Sequence, residues 1–173
     1  MAIHIIIDGY NLIRQSDTLY MLDQQDIQAG RDALIDLLAA YKKIKPHKIT
    51  VVFDGANALD FSNRNDSVKG IKIKFSGPGE TADTVIKKIA SSKKEKALIV
   101  TSDRDIIDFI SSQGASTICS AEFEKKMRMA DYMMVKGICD EEENGWKPTT
   151  KKKGPKRRLS KKERRNRIKV NKL

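Results

Sequence analysis

The chain has 173 residues, of which 39% are hydrophobic and 33% charged, and its formal net charge is +11 at pH 7. That length and hydrophobic content suffice for one sizeable core rather than two. We predict no membrane span, because no apolar run reaches about 18 residues. We also predict no signal peptide, because Asp8 interrupts the only apolar stretch near the amino terminus.

The positive charge is concentrated in the last part of the chain. Residues 147–173 hold 14 Lys and Arg against one acid, Glu163, whereas residues 1–146 hold 20 Lys and Arg against 22 Asp and Glu. This asymmetry indicates a polyanionic partner bound by the tail. We predict a domain at residues 1–143 and a basic flexible tail at residues 144–173.

The two cysteines, Cys119 and Cys139, are too few for a disulfide framework in a chain of this length. We expect both to be buried free thiols in a reducing cytosol. The sequence therefore predicts a cytoplasmic protein that has no membrane contact.

The first predicted strand covers residues 3–7, four of which are isoleucine. Such a β-branched run is typical of a strand buried on both faces at the centre of a parallel sheet. Asp8 follows it at once, Gly9 is expected to permit a sharp turn, and Asn11 comes two residues later. Because ligands bind at the carboxyl ends of strands in open α/β sheets, we expect Asp8 and Asn11 at the base of any active site.

An irregular stretch is predicted next, and Asp26 is then expected to cap an amphipathic helix over residues 27–43. Residues 49–53 form the second predicted strand, which also ends in an aspartate, Asp54. Residues 56–69 are polar and rich in Asn, so we expect a surface loop there.

Residues 71–75 alternate between apolar and polar side chains and predict a third strand near a sheet edge. Thr81 can cap the following helix, which we expect to end near residue 91. Residues 97–100 predict a buried fourth strand, after which Ser102 or Asp103 begins another helix.

A short fifth strand at residues 116–119 and a last helix at residues 121–138 complete the predicted domain. Strands that alternate with helices at this spacing imply right-handed βαβ crossovers. We therefore predict an α/β fold, namely a Rossmann-like parallel sheet of about five strands with helices on both faces.

Four aspartates are expected at one edge of this sheet. Asp8, Asp54 and Asp103 follow three different strands, and Asp83 lies in the first turn of a helix between them. Taken singly, each is typical of a turn or of a helix amino terminus. Brought together without basic partners they would repel one another unless a cation neutralised them, and carboxylates with open coordination positions suit Mg²⁺ or Mn²⁺. Such a centre can produce hydroxide from bound water and stabilise charge on a phosphoryl oxygen.

Other chemistries fit the sequence less well. A signalling receiver domain would need a lysine after the fifth strand, where Ile118, Cys119 and Ser120 stand, and an aspartyl phosphatase would need an acid in place of Tyr10. His4 and His47 are predicted to be structural, because both lie in or before strands. The remaining alternative is a non-catalytic RNA- or ribosome-binding protein on the same fold.

At its acidic motifs the chain resembles the YacP-like NYN domains, which belong to the PIN-like metal-dependent ribonucleases. The similarity runs in order from residue 1 to about residue 140 and is carried by four short segments, Asp8-Gly9-Tyr10-Asn11, Val52-Phe53-Asp54-Gly55, Gly79-Glu80-Thr81-Ala82-Asp83 and Val100-Thr101-Ser102-Asp103-Arg104. The resemblance implies a Rossmann-like sheet with an acidic pocket and endonucleolytic cleavage of RNA with a divalent metal.

Position by position, the resemblance implies that Asp8, Asp54, Asp83 and Asp103 bind the metal and carry catalysis. It further implies that Asn11 orients Asp8 or a phosphate.

Several neighbours are implied as supporting residues. Glu80 would act in the outer sphere, Thr101 or Ser102 would hold the last carboxylate, and Asp105 would extend the acidic set. Arg31 resembles a recurrent family arginine that meets substrate phosphate, and its alternative interpretation is a solvated helix face.

The basic tail is predicted to bind RNA, and the ribosome surface is an equally compatible partner. No aromatic residue follows Trp146, so we expect binding that ignores sequence. The stretch from Lys161 to Lys172 could become a helix on a partner, whereas alone it is expected to be mobile and solvated. No feature of the sequence indicates an oligomeric state. The predicted RNA-binding residues of the tail are Lys151, Lys152, Lys153, Lys156, Arg157, Arg158, Lys161, Lys162, Arg164, Arg165 and Arg167.

Overall fold

The computed structural model describes residues 3–55, 65–136 and 160–173. The strands in these ranges are β1 (His4–Asp8), β2 (Lys48–Phe53), β3 (Asn65–Val68), β4 (Ile71–Phe75), β5 (Ala97–Val100) and β6 (Ser116–Ile118). The α-helices in these ranges are α1 (Gly9–Gln15), α2 (Asp17–Gln25), α3 (Ile27–Ile44), α4 (Ala82–Lys93), α5 (Arg104–Ser112), α6 (Ser120–Lys136) and α7 (Lys161–Val170).

The strands form one sheet in the order β3-β4-β2-β1-β5-β6. β1 lies at the centre and pairs in parallel with β2 and β5, while β3 pairs antiparallel with β4 at one edge. The predicted α/β fold with a central first strand is therefore confirmed. It has six strands in the described residues rather than about five.

Helices cover both faces of the sheet, as predicted, and each face has its own core. Successive side chains of a strand point to opposite faces, so Ile5 and Ile7 pack with Leu34, Leu38 and other residues of α3 and α6. Ile6 packs on the other face against α4 and α5. β1 is thus buried on both sides, which explains its run of isoleucines.

Three predicted helix caps are confirmed. Asp26, Thr81 and Asp103 each accept a hydrogen bond from a backbone N–H in the first turn of α3, α4 and α5, respectively. These interactions satisfy donors that a helix start leaves without partners.

Two stretches predicted to be irregular contain regular structure. The segment between Asn11 and Asp26 forms α1 and α2, which meet at the buried Ser16; its side chain accepts a hydrogen bond from the Leu19 N–H. The predicted surface loop at residues 56–69 includes β3, which is polar because it is an edge strand and is stabilised by its ladder with β4. Short elements of this kind depend on tertiary partners, and the sequence pattern alone did not reveal them.

The end of the basic tail differs from the prediction of a mobile, solvated segment. Ser160 and Glu163 form a capping box at the start of α7, a signal that the sequence already contained. Leu173 is buried in the core, and its main-chain oxygen accepts a hydrogen bond of 3.0 Å from the Tyr41 hydroxyl. Residues 160–173 are therefore anchored on the domain by both apolar and polar contacts. The predicted boundary between residues 143 and 144 lies outside the described residues.

Replacing Tyr41 with Phe is expected to lower the free energy of unfolding by about 1 kcal/mol, because the main-chain oxygen of Leu173 loses its donor. Urea denaturation of the full chain measures this change. Tyr20→Phe is the matched control, since that side chain is 43% exposed. An equal loss in both variants would show that the Tyr41 hydroxyl does not anchor the tail.

The prediction of buried thiols is wrong for Cys119, which is a free and exposed cysteine. It follows β6 and lies before the first turn of α6, at an open edge of the sheet rather than within a core. Cys139 lies outside the described residues. Among the helices that the structure describes, none is both long and apolar enough to cross a membrane.

Candidate functional site

Asp8 lies at the centre of the carboxyl edge of the sheet. It is the last residue of β1 and the N-cap of α1, and its side chain accepts hydrogen bonds of 3.3 Å from the Asn11 backbone N–H and from the Thr101 hydroxyl. Only 8% of the residue is exposed. The strand end and the helix start together hold this carboxylate in a fixed orientation.

Burial raises the pKa of Asp8 to about 6, with the negative charges of Asp83 and Asp103 acting in the same direction. The hydrogen bonds from Asn11 and Thr101 oppose this rise because they favour the ionised carboxylate. A carboxyl group that titrates near neutral pH beside two others is an arrangement that recurs at functional sites.

Asp83 belongs to the same electrostatic unit. Its pKa is raised first by burial and then by the charges of Asp103, Asp105 and Asp54, while Lys87 opposes the shift. The carboxylates at this edge therefore act on one another although they come from four separate parts of the sequence, at Asp8, Asp54, Asp83 and Asp103. Their mutual repulsion is what a bound cation would relieve.

Thr101 connects the two sides of the site. Its hydroxyl donates to Asp8 and accepts a hydrogen bond of 3.1 Å from the Asp103 backbone N–H. The Asp103 carboxylate instead caps α5, where it accepts the N–H groups of Asp105 and Ile106. The expected contact between Thr101 and the last carboxylate is therefore absent from the described hydrogen bonds, and Thr101 holds the carboxylate of Asp8.

Asp54 is held by a residue that the sequence reasoning missed. The Ser76 hydroxyl donates to Asp54 Oδ1 at 2.9 Å and accepts the Gly55 backbone N–H at 2.8 Å. Ser76 is only 2% exposed and follows β4, the strand beside β2. No local signal marks it beyond a small polar residue at the end of a strand.

The contact of Asn11 with Asp8 that the resemblance implied is present, but the Asn11 side chain has other partners. Its side-chain oxygen accepts hydrogen bonds from the Ser102 backbone N–H at 2.9 Å and from the Ser120 hydroxyl at 2.7 Å. Its backbone N–H, rather than its side chain, contacts Asp8. The Asn11 side chain thus joins the loop after β5 to the start of α6. Ser120, which is fully buried, is a second residue that the sequence reasoning missed.

The other supporting residues lie around this centre. The Ser102 hydroxyl contacts the Cys119 sulfur at 3.2 Å rather than a carboxylate. Glu80 forms an ion pair of 2.6 Å with Lys88, so the structure gives its carboxylate a cationic partner. Asp105 is exposed, and its negative charge helps to raise the pKa of Asp83.

Arg31 is not on a solvated helix face, because only 7% of it is exposed. Its guanidinium donates to the Tyr10 hydroxyl and lies 5.3 to 5.6 Å from the ring centres of Tyr10, Phe53 and Phe75. Packing against three rings leaves this group little surface for a phosphate. Arg31 therefore supports the hydrophobic side of the site through Tyr10.

Gly9 also has a role other than the predicted sharp turn. It begins α1, and a Cβ at this position would lie 2.3 Å from the Phe53 ring. Glycine is needed there because of the close approach of that ring.

The predicted RNA-binding residues of the tail lie away from the acidic edge where the structure describes them. Lys169 of α7 donates to the main-chain oxygen of Ala97, the first residue of β5, and His47 contacts the Lys172 main-chain oxygen before β2. α7 is therefore at the amino-terminal edge of the sheet. Lys161, Lys162, Arg164, Arg165 and Arg167 are all exposed on it, whereas the predicted residues between 151 and 158 lie outside the described ranges.

The chemistry of the acidic edge fits Mg²⁺ or Mn²⁺, since its donors are carboxylate oxygens and the neighbouring charges raise the pKa of Asp8 and of Asp83. Within residues 3–55, 65–136 and 160–173, no three His, Cys, Asp or Glu side chains are close enough together to form a complete ligand group. The side chains would thus have to draw together around a cation.

A model of the YacP-like NYN domain family matches residues 5–171 of the chain. The "Uncharacterized protein YacP" of Bacillus subtilis (strain 168) is 30% identical over 114 residues, which cover 64% of this chain and 66% of that relative, just under two thirds of its length. The fold is similar to the crystal structure of Rae1 (YacP) from Bacillus subtilis, with a TM-score of 0.68 at 26% identity over 80% of each chain. A mutant form of Rae1 gives a TM-score of 0.64 at 25% identity over 77% of this chain and 79% of that one.

Proposed function

The chain belongs to the YacP-like NYN domain family, and on that premise we propose that it is a divalent-metal-dependent endoribonuclease. One observation carries the proposal beyond family membership. Asp8 is a buried carboxylate whose pKa is raised to about 6, by burial first and then by Asp83 and Asp103. A protein that only bound RNA would gain nothing from acids that repel both one another and the phosphate backbone.

In this proposal Asp8, Asp54, Asp83 and Asp103 hold Mg²⁺ or Mn²⁺. When bound, the metal would lower the pKa of a coordinated water and stabilise negative charge on the phosphoryl group. Thr101 keeps the Asp8 carboxylate oriented and Ser76 does the same for Asp54. Such hydrogen bonds to ligating carboxylates limit their motion while substrate binds.

Asn11 would be a positioning residue rather than a ligand. Its side chain fixes the loop that carries Ser102 against the start of α6 at Ser120. The backbone of Asp103 follows directly in that loop, so the carboxylate that caps α5 is placed relative to Asp8.

RNA binding by the basic end of the chain is part of the same proposal, and the ribosome surface is an equally compatible partner. The exposed cations of α7 could neutralise several phosphates and would make binding strongly dependent on salt. We also propose a cytoplasmic location, which a free cysteine such as Cys119 supports.

The proposal is tested by cleavage of a circular RNA, which only an endonuclease can open. We expect cleavage with Mn²⁺, none with EDTA, and a loss of about 100-fold or more in Asp83→Asn, since changes to residues that only support a metal ligand already cost about 10- to 100-fold. Asp108→Asn on the exposed side of α5 is the matched control and should retain full activity. RNA that is bound but not opened with any divalent ion would support the non-catalytic alternative.

A further inference from the structure

A large cavity lies between α7 and the amino-terminal edge of the sheet. Its volume is about 1120 Å³, and its lining includes Ile3, His4 and Ala115 of the domain and Ile168 of α7. The acidic site is at the opposite edge, since β1 begins at His4 and ends at Asp8. The four residue steps between these ends correspond to about 13 Å.

The lining of this cavity, which we name the basic groove, is strongly cationic. It includes eight Lys and Arg residues but only one acid, Glu95. Lys48, Lys93 and Lys96 come from the domain, and Lys162, Arg165 and Lys169 are among those supplied by the α7 segment. The domain contributes cations to this surface although residues 1–146 have more acids than bases.

Glu95 already interacts with the α7 cations. Its carboxylate accepts from Arg165, and its main-chain oxygen accepts from Lys169. The Arg165 and Glu95 side chains are about half exposed, so this ion pair is accessible to a competing anion. The other described cations of the lining outnumber this single acid.

The field in the groove reflects this imbalance. The pKa of His4 is lowered to about 4 by burial first and then by the charges of Lys48, Lys93 and Lys72. Burial and the neighbouring Arg165 also lower the pKa of Lys169, although Glu95 opposes the shift. A bound anion would offset the part of each shift that comes from the neighbouring cations.

We propose that the basic groove binds the phosphate backbone of RNA as a second contact, separate from the acidic site. This inference rests on the proposed function, because it assigns a place for the RNA that the acidic edge would cut. Cations from both the domain and α7 line the groove, which favours a polyanion as its occupant. Among the described lining residues none is Phe, Tyr or Trp, so the groove would contact phosphates and not stack on bases.

The position of the groove has a consequence for substrates. The groove and Asp8 are at opposite ends of β1. An RNA that contacts both must pass around the side of the sheet, so short fragments would reach only one of them. Long RNA would be retained near the acidic edge by an attachment that survives each cut.

The test is binding of a fluorescent single-stranded RNA in EDTA, so that cleavage does not enter the measurement. The measured quantity is the slope of the logarithm of the association constant against the logarithm of the salt concentration. In the double variant Lys93→Ala and Lys96→Ala, we expect the magnitude of this slope to fall by about 1.4, or about 0.7 for each lost cation. The matched control is Lys125→Ala with Lys126→Ala, which removes the same charge from α6. Glu95→Gln should strengthen binding, because it removes the anion that competes with RNA.

Equal slopes for the two lysine pairs, or no gain in affinity with Glu95→Gln, would overturn the inference. So would tighter binding of polyglutamate than of RNA, which would identify an acidic protein partner instead. Thermal unfolding of each variant checks that α7 remains folded on the domain. These outcomes are distinct from failure of the proposed function, because a protein that binds RNA in the groove but never cuts it would refute only the nuclease.

Discussion

Asp8→Asn is expected to reduce RNA cleavage by more than about 100-fold, since changes to residues that only support a metal ligand already cost about 10- to 100-fold. Asp8 is the most buried of the acidic set and the one that two hydrogen bonds orient between β1 and β5. Asparagine keeps the size of the side chain and one of the two oxygens that accept these bonds, and the Thr101 hydroxyl can accept from its NH₂ group. Most of the loss would therefore come from the missing charge. Single-turnover cleavage at saturating Mn²⁺ and RNA measures the effect.

The same substitution is expected to stabilise the metal-free protein at neutral pH. Asp8 has a pKa of about 6 in the folded chain against an ordinary value of 3.8. The folded state therefore holds its proton at pH values where the unfolded state has lost it, and stability falls as pH rises from about 4 to about 6. A shift of this size corresponds to at most about 3 kcal/mol above pH 6, a penalty that Asp8→Asn would remove.

Denaturation in EDTA at pH 4 and at pH 7 checks this sign, with Asp108→Asn as the control. Adding Mn²⁺ at pH 7 should then stabilise the unmodified protein more than Asp8→Asn, since a cation relieves the charge that asparagine lacks. Asp8 would be excluded as a metal ligand if Asp8→Asn were as active as the unmodified protein. It would also be excluded if Mn²⁺ raised the free energy of unfolding of both proteins equally.

Gly55→Ala is expected to lower the free energy of unfolding by about 3 kcal/mol and to abolish most of the cleavage. A Cβ at this position would lie 2.2 Å from the main-chain oxygen of Ser76, and backbone cannot move aside as a flexible side chain can. Separation of the two segments would break the bond between the Gly55 N–H and the Ser76 hydroxyl. Asp54 would then lose the hydroxyl that orients it.

Gly79→Ala is the matched control for this prediction. Gly79 has a positive φ of 72°, and no atom of the described residues comes within 4 Å of the point that a Cβ would occupy, so alanine there meets only backbone strain. That strain amounts to about 1–2 kcal/mol. Urea denaturation and cleavage assays on both variants separate the two causes. If Gly55→Ala lowered the free energy of unfolding no more than Gly79→Ala does, the close contact with Ser76 would not be important for the site.

Much of the fold could be predicted because its signals are local. The isoleucines of residues 3–7 indicated a strand buried on both faces, and β1 is the central strand with Ile5 and Ile6 in different cores. Caps such as Asp26 and Thr81 could be recognised because a helix start needs an acceptor within its own first turn. α1, α2 and β3 were missed because they are short and stabilised by what they pack against.

The candidate site divides in the same way. Asp8, Asp54 and Asp103 could be assigned to one edge from sequence, since parallel strands bring their carboxyl ends to the same side of a sheet. Ser76 and Ser120 could not be assigned, because an isolated serine after a strand or before a helix has many uses. Nor could the sequence reveal that Arg31 would be enclosed by three aromatic rings.

The α/β class, the central strand, the acidic edge and the concentration of charge near the end of the chain could all be inferred from residue patterns. The tertiary structure alone decided which hydroxyl holds which carboxylate, as Thr101 does for Asp8 across 93 positions. It also decided that α7 returns to the edge opposite the acids, where Leu173 enters the core. Strand and cap preferences act between residues that are close in sequence. These contacts join residues that are far apart in sequence, so they exist only after the sheet has formed.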